Sequence, residues 1–324
     1  MMRIEDVSGQ YRTITGPVQA VNHVSFDIRD NEIFGIAGES GCGKSTLLKL
    51  LYDIVRFPLE LSGGRVVLRT TKNGKVCELA SGEIDKAWWD EISYVPQAAM
   101  SVLNPVYRIE DQFYELFHRH RRGEDRRMMR RRIEQYLIEL NLPLDVLTAF
   151  PHQLSGGMRQ RVVIAMATFL QPNMIFADEP TTALDVVVQR NILMMLTELQ
   201  KRMRNTLVVV SHDMGVHYQI TNRMGIMYSG SLVELGPTEE IFARPLHPYT
   251  RMLISALPRV GDHSEREGIP GAPPSLRNPP PGCRFAPRCR YACPACSESI
   301  PEFHEVEPGH FAACLRVDKL KGGA

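Results

Sequence analysis

Short, largely apolar runs alternate with helical patterns along this chain. Four such runs have the composition of strands buried on both faces, and they lie at residues 33–37, 92–95, 173–177 and 206–210. The first and third each lead into a stretch whose apolar residues recur every three or four positions, the helical period. This pattern predicts an open α/β sheet.

Further elements are predicted on either side of these runs. Strands are expected at residues 3–7, 18–28, 65–69 and 75–79, the last two as a hairpin around Asn73-Gly74. Residues 104–147 are predicted to be helical, because they contain few glycines and have apolar side chains at helical spacing, such as Phe113, Leu116 and Phe117.

Eight arginines lie between Arg119 and Arg132. Two interpretations stay open from the sequence. The run is either a solvated helical face or a polybasic patch that touches anionic lipid headgroups.

The composition is that of a soluble globular protein. The 324 residues are 44% hydrophobic and 23% charged, and the formal net charge is +1, which argues against nucleic acid as a partner. The N-terminus carries Arg3, Glu5 and Asp6, so no signal peptide is expected. The longest clean apolar run, residues 162–170, is about half of what a membrane span needs.

A phosphate-binding loop is predicted between the first buried strand and the following helix. The run is Gly38-Glu39-Ser40-Gly41-Cys42-Gly43-Lys44-Ser45-Thr46. Its glycines allow consecutive backbone N–H groups to face phosphate oxygens at a helix N-terminus. Lys44 would reach the β- and γ-phosphates, and the Ser45 hydroxyl would bind Mg²⁺.

A second anion-binding helix N-terminus is predicted at Ser155-Gly156-Gly157. The helix should run to Leu170 and end before Pro172. The alternative is that Ser155 simply caps this helix.

Polar side chains follow the other buried strands. Asp178 and Glu179 end one strand and could supply one carboxylate for Mg²⁺ and another for the attacking water. Gln97 leaves a neighbouring strand and could reach the metal or that water. His212 follows a third strand and could contact a γ-phosphate, or form a structural hydrogen bond. Tyr11 could stack on a nucleotide base, or pack in the interior.

The C-terminal segment is rich in cysteine. Prolines between residues 270 and 281 mark a linker, and five of the seven cysteines follow between Cys283 and Cys314. Clustered soft ligands would order a segment with little core of its own. Four thiolates suit Zn²⁺ or an iron–sulfur cluster equally, so the spacing does not choose between them.

Taken together, these motifs resemble the nucleotide-binding subunit of an ABC transporter. The matching motifs are Walker A (Gly38 to Thr46), the Q-loop (Gln97), the signature (Leu154-Ser155-Gly156-Gly157), Walker B with the catalytic glutamate (Asp178-Glu179), the D-loop (Ala183-Leu184-Asp185) and the H-loop (His212). The resemblance implies a RecA-like core, an antiparallel β-subdomain and a helical subdomain inserted at about residues 98–170, within an ATPase domain of residues 1–255.

The resemblance also implies the ligands and their contacts. ATP and Mg²⁺ would bind, with Glu179, His212, Gln97 and Lys44 as catalytic residues. Mg²⁺ would be held by Ser45, Gln97 and Asp178. The implied nucleotide contacts are Tyr11, Gly38, Ser40, Gly41, Cys42, Gly43, Lys44, Ser45, Thr46, Gln97, Ser155, Gly156, Gly157, Asp178 and Asp185. Ser155 and Gly157 would act across a dimer, on the ATP of the partner ATPase.

Beyond His212 the chain resembles the dipeptide and oligopeptide importer ATPases. The shared stretches are His247-Pro248-Tyr249-Thr250-Arg251-Met252-Leu253, Ile269-Pro270-Gly271 and Cys283-Arg284-Phe285-Ala286-Pro287-Arg288-Cys289. In that subfamily, residues 256–324 would form a Cys-rich extension with a [4Fe-4S] cluster on Cys283, Cys289, Cys296 and Cys314. Cys293 is then an extra thiol, and its pairing with Cys296 leaves open which of the two is the third ligand; Zn²⁺ is the alternative to the cluster.

The resemblance finally implies partners and a location. Two transmembrane permease subunits, a second related ATPase and an extracytoplasmic substrate-binding protein would complete a peptide importer, with this chain at the cytoplasmic face of the membrane. An oligosaccharide importer is one alternative. A soluble ABC ATPase without a transport role is another, although such proteins usually carry two cassettes or a long coiled coil, and this chain has neither.

Overall fold

A computed structural model describes residues 1–72, 75–97, 101–120, 125–257 and 268–321. The chain divides into two compact units. Unit 1 comprises Met1–Ile84 and Val210–Ala324, and unit 2 comprises Asp85–Val209.

The strands and helices alternate in the way the sequence predicts for an α/β protein. In chain order, the described strands are β1 (Met2–Thr13), β2 (Gly16–Ile28), β3 (Ile33–Ala37), β4 (Leu59–Lys72), β5 (Lys75–Ala80), β6 (Ile92–Val95), β7 (Met174–Asp178), β8 (Thr206–Val210), β9 (Arg223–Tyr228), β10 (Ser231–Pro237), β11 (His304–Glu307) and β12 (His310–Ala312). The described α-helices are α1 (Lys44–Leu51), α2 (Ile109–His120), α3 (Arg126–Glu139), α4 (Gly156–Thr168), α5 (Val186–Met203), α6 (Met214–Ile220), α7 (Thr238–Ala243), α8 (Pro248–Ser255), α9 (Pro294–Glu298) and α10 (Val317–Lys321).

Unit 1 contains an antiparallel sheet in the order β2-β1-β4-β5 and further strands in the order β11-β12-β10-β9-β3. In the second set β3 and β9 are parallel, whereas β9, β10, β12 and β11 pair antiparallel. The first two strands are longer than predicted, because they form one hairpin in which Thr13 pairs with Gly16. The predicted hairpin of β4 and β5 is confirmed, while Asn73 and Gly74 lie outside the described residues.

Unit 2 contains β8, β7 and β6 in that order, with β6 and β7 parallel. Helices α2 to α5 belong to this unit. The prediction that residues 104–147 are helical is confirmed in α2 and α3. Helix α3 ends before a 3₁₀ turn (Leu144–Thr148), because Asn141 adopts a left-handed conformation (φ 53°) and Pro143 cannot continue the helix.

The arginine-rich run forms ion pairs along the surface of α2 and α3. Arg119 pairs with Glu115 at 3.0 Å and Arg126 with Asp111 at 3.2 Å. Arg130 is similarly paired, while residues 121–124 lie outside the described part of the chain. These pairs are exposed, which favours a solvated helical face for the residues that are described.

The C-terminal segment packs into unit 1. Phe285 is 1% exposed and contacts the rings of Tyr228 and Tyr249, with centroid distances of 5.1 and 5.4 Å. The β12 strand pairs with β10, and buried Glu234 accepts a hydrogen bond from His310 at 2.8 Å. Burial of aromatic rings therefore helps to order this segment. Among the described helices, none has the length and hydropathy to cross a membrane.

Candidate nucleotide-binding site

The predicted phosphate loop lies in unit 1, between β3 and the first turn of α1. Gly43 has a φ of 103°, and a Cβ there would lie 2.1 Å from the carbonyl oxygen of Ala20. At Gly38 a Cβ would lie 2.2 Å from the carbonyl oxygen of Met227. Glycine is therefore required at both positions. A side chain would be strained by the backbone conformation and would clash with the carbonyl oxygens of neighbouring strands.

Lys44 is 4% exposed and is bound to its own loop. Its Nζ donates to the carbonyl oxygens of Gly38 and Glu39 at 2.8 and 2.9 Å. These bonds hold a positive charge at the start of α1, where the helix dipole also favours an anion. Cys42 is buried beside Lys44, and burial raises the pKa of its thiol, so the neutral thiol contributes packing and no charge.

The remaining loop residues lie around the N-terminus of α1. Ser40 is exposed, and open space surrounds the position that a Cβ on Gly41 (φ 78°) would take. Ser45 and Thr46 are in the first turn of the helix. Tyr11 Oη lies 3.2 Å from Thr46 Oγ1, so the strand that carries Tyr11 is tied to this turn.

His212 is exposed in the turn that follows β8. Ser211 before it donates its N–H to the carbonyl oxygen of Ile36 at 3.2 Å, and its hydroxyl accepts from the N–H of Asp213 at 3.0 Å. Buried His217 lies 3.2 Å from the Ser211 carbonyl oxygen, and burial lowers the pKa of His217 to about 4. A neutral histidine therefore supports the backbone of this turn.

In unit 2 the predicted carboxylates are fixed by hydrogen bonds. Asp178 ends β7 and is 1% exposed, and Tyr94 Oη donates to its Oδ2 at 3.1 Å. Glu179 has a left-handed backbone conformation (φ 47°). Its Oε2 accepts from Gln97 Nε2 at 3.3 Å and from Thr182 Oγ1 at 2.8 Å. The structure therefore brings the side chains of Gln97 and Glu179 together.

The signature and D-loop motifs lie together in unit 2. Ser155 caps α4, since its Oγ accepts from the N–H of Met158 at 3.3 Å, and Asp185 caps α5 by accepting from the N–H of Val188 at 2.9 Å. A Cβ on Gly157 would lie 2.6 Å from Val188 Cγ1. The glycine thus allows the two helix N-termini to pack against each other. The Ser155 cap is observed, and a cap is compatible with a further role of this helix N-terminus in anion binding.

Four thiols line one small cavity in unit 1, and they are those of Cys283, Cys289, Cys296 and Cys314. Burial raises the pKa of the first two thiols and raises that of Cys314 to about 11. Cys293 Sγ lies 3.5 Å from Cys296 Sγ. No group of three or more His, Cys, Asp or Glu side chains in the described ranges is arranged to hold a metal ion.

Sequence analysis did not identify several residues that form hydrogen bonds with Asp178, Glu179 and Glu39. Tyr94 and Thr182, which bind the carboxylates, occur in unremarkable local patterns. Glu39 is held by Tyr249 and Arg288, which follow it by 210 and 249 residues. Tyr249 and Arg288 belong to stretches that resemble importer ATPases, and only that resemblance could have indicated a role for them.

Two family matches cover much of the chain. Residues 21–182 match the ABC transporter family, and residues 233–296 match the C-terminal region of oligopeptide/dipeptide transporters. The chain is similar to the dipeptide transport ATP-binding protein DppD of Caldanaerobacter subterraneus subsp. tengcongensis, with 38% identity over 317 residues (97% of this chain, 96% of that protein). The Bacillus subtilis DppD is 37% identical over 322 residues (98% and 95%).

A solved structure is also similar. It is the dimeric ATP-binding cassette MJ0796 in a post-hydrolysis state, bound to ADP and Pi. The TM-score is 0.62 at 28% identity, covering 74% of this chain and 99% of that one. The α/β architecture is therefore that of an ABC ATPase cassette. The chain belongs to the ABC transporter family, as an ATP-binding protein of its oligopeptide and dipeptide group.

Proposed function

We propose that this protein hydrolyses ATP to power the import of dipeptides or oligopeptides. The observation that carries the proposal is the similarity to dipeptide transport ATP-binding proteins over nearly the whole chain, including the C-terminal region of residues 233–296. The described residues support the ATPase part of the proposal, because unit 1 contains an anion-binding loop and unit 2 contains carboxylates that are fixed by hydrogen bonds.

In unit 1 the proposed role of the phosphate loop is to bind and neutralise the triphosphate. The ammonium group of Lys44 is held at the N-terminus of α1 by the two loop carbonyls, so its positive charge is already in place for phosphate. Ser45 would place its hydroxyl on Mg²⁺. Tyr11 would stack on the base, and His212 would bind the γ-phosphate.

In unit 2 the proposed roles fall on the two adjacent carboxylates. Asp178 would bind Mg²⁺, and its hydrogen bond from Tyr94 fixes the orientation of the carboxylate. Glu179 would orient and polarise the attacking water. Its hydrogen bonds from Gln97 and Thr182 engage one oxygen, Oε2, and help to set the direction of the carboxylate.

The proposed partners follow from the family. Ser155, Gly156 and Gly157 would contact the ATP of a partner ATPase, and Asp185 would join that interface. The partner is a second, related ATPase, and two permease subunits hold the pair at the cytoplasmic face of the membrane. An extracytoplasmic binding protein delivers the peptide.

Co-purification with the permease subunits tests this proposal. We expect tagged protein, extracted from membranes in mild detergent, to bring down two permeases and a second ATPase. Addition of peptide-loaded binding protein should stimulate ATP turnover of that complex. Stimulation by oligosaccharide instead would favour the sugar importer, and recovery of the chain without any permease would favour a soluble ATPase.

We also propose that the four cavity thiols bind a [4Fe-4S] cluster. The support for this proposal is that the four thiols line one cavity and that the chain belongs to the oligopeptide and dipeptide group. A four-iron cluster takes four cysteine thiolates as ligands, and Zn²⁺ is the alternative for the same four thiols. When bound, the cluster would cross-link the C-terminal segment.

Anaerobic purification tests the cluster. We expect brown protein with equal amounts of iron and sulfide, because metal binding offsets the unfavourable ionisation of buried thiols. Cys314→Ser should lose the colour, whereas Cys77→Ser should keep it, since Cys77 is exposed and is not among the residues that line the cavity. Cys293→Ser should also keep it. Colourless anaerobic protein with stoichiometric zinc would contradict the assignment.

A further inference from the structure

The C-terminal cysteine segment reaches the phosphate loop through one ion pair. Arg288, which is 8% exposed, donates from its two terminal nitrogens to the two carboxylate oxygens of Glu39, at 2.7 and 3.1 Å. Glu39 is the second residue of the phosphate loop. The bidentate geometry fixes both the distance and the orientation between the segment and the loop.

Glu39 is held from its other sides as well. Its N–H donates to Tyr249 Oη at 2.9 Å, and its carbonyl oxygen accepts from Lys44 Nζ at 2.9 Å. The same glutamate thus connects Arg288 with the lysine that we assign to the phosphates. A change in the position of the Glu39 backbone would move one of the two carbonyls that hold Lys44.

The negative charge of Glu39 makes its ion pair with Arg288 important for binding of the triphosphate. An unpaired carboxylate inside a phosphate-binding loop would repel the triphosphate. Arg288 neutralises it, and the hydrogen bonds that Arg288 donates to Glu39 and Tyr228 raise the pKa of Arg288, so the guanidinium remains charged. The pair therefore removes a repulsion that the loop sequence would otherwise contain.

The turn that carries Arg288 is bracketed by two of the cavity cysteines. Ala286–Arg288 forms one 3₁₀ turn directly between Cys283 and Cys289. The N–H of Cys283 donates to the carbonyl oxygen of Cys296 at 2.8 Å, which ties this turn to the cysteine helix α9. Arg284 adds a second contact, because it donates to the carbonyl oxygen of Ser229.

We propose that Arg288 is a positioning residue for the phosphate loop, through which the cysteine segment acts on ATP binding. This inference rests on the proposed ATPase function. Arg288, which lies outside the cassette motifs, would then help to determine the affinity for ATP.

The test is the ATP affinity of the full-length chain in a double-mutant cycle. Arg288→Met should weaken ATP binding about tenfold, the scale expected for losing hydrogen bonds to a charged group. Glu39→Gln alone keeps one acceptor, and we expect an effect of about threefold or less. The double variant should bind within about threefold of Glu39→Gln, because the repulsive charge is also gone.

Arg290→Met is the matched control. Arg290 is exposed in the same segment and lies over the ring of Tyr291, so its removal should change ATP affinity by less than about twofold. Thermal unfolding identifies any loss of folding. If Arg288→Met is poorly folded, Arg288→Lys keeps the charge without the bidentate geometry, and its affinity should be intermediate.

The contribution of the cysteine segment is tested by the ATP affinity of a cysteine variant. Cys289→Ser should weaken ATP binding in the wild-type background and add less than about twofold to Arg288→Met, since both changes act through one contact. Equal ATP affinity of Arg288→Met and Arg290→Met would overturn the proposal. So would additive losses in either double variant, or an unchanged affinity in Cys289→Ser. Wild-type chain that does not bind ATP would instead contradict the proposed function.

Discussion

Replacing Glu179 with glutamine is expected to lower ATP turnover by about 10²–10⁴-fold while ATP binding is retained. The amide has nearly the shape of the carboxylate but cannot take a proton from water. Gln97 and Thr182 both donate to Glu179 Oε2, and an amide oxygen can accept the same bonds. The variant should therefore keep its local structure, and dimers closed around ATP should accumulate. Steady-state turnover and equilibrium ATP binding measure the two effects.

Glu198→Gln provides the control for this variant. Glu198 is an exposed carboxylate on α5 in the same unit, and its turnover should match that of the wild type. If Glu179→Gln hydrolyses ATP at close to the wild-type rate, Glu179 is not the general base.

Replacing Lys44 with methionine is expected to reduce both ATP affinity and turnover, with turnover falling by at least about 10²-fold. The change removes the positive charge assigned to the phosphates. It also leaves the carbonyl oxygens of Gly38 and Glu39 without the bonds that Lys44 donates. Binding of ATP to the full-length chain and turnover of the assembled ATPase report these losses separately.

Lys49→Met is the matched control for the lysine. Lys49 lies five residues further along α1 and is not part of the phosphate loop, so ATP affinity should change little. A Lys44→Met chain that binds ATP as tightly as the Lys49→Met chain would show that the phosphates lie elsewhere.

The elements that the sequence predicts best are those with strong local constraints. The strand at residues 206–210 has the predicted bounds, because a short, largely apolar run rich in valine favours the interior of a sheet. The phosphate loop also lies where predicted, since Gly38 and Gly43 each adopt a conformation or a contact that excludes a side chain.

Elements that depend on one or two breaking residues were harder to predict. The helical period continues across residues 104–147, and the left-handed conformation of Asn141 is what ends α3. Ser155 illustrates a different limit. Its sequence context predicts both a helix cap and an anion site, and the structure establishes the cap while the anion site stays a proposal.

Contacts between distant residues could not be derived from sequence patterns. Arg288 and Glu39 are separated by 249 residues, and neither lies in a periodic pattern that points to the other. The four cavity thiols are a partial exception, because their local clustering predicted a common site. Burial of the Cys314 thiol raises its pKa to about 11. That burial depends on how the segment packs, which the spacing of the cysteines does not encode.

ATP-driven uptake into proteoliposomes tests the central claim most directly. The proposed complex of this chain with a second ATPase and two permease subunits would be reconstituted, supplied with the proposed binding protein and labelled dipeptide, and given ATP. We predict accumulation of the dipeptide that requires ATP and is lost when this chain carries Glu179→Gln. Uptake that proceeds at the wild-type rate with this variant, or that fails for peptides while oligosaccharide is transported, would contradict the account.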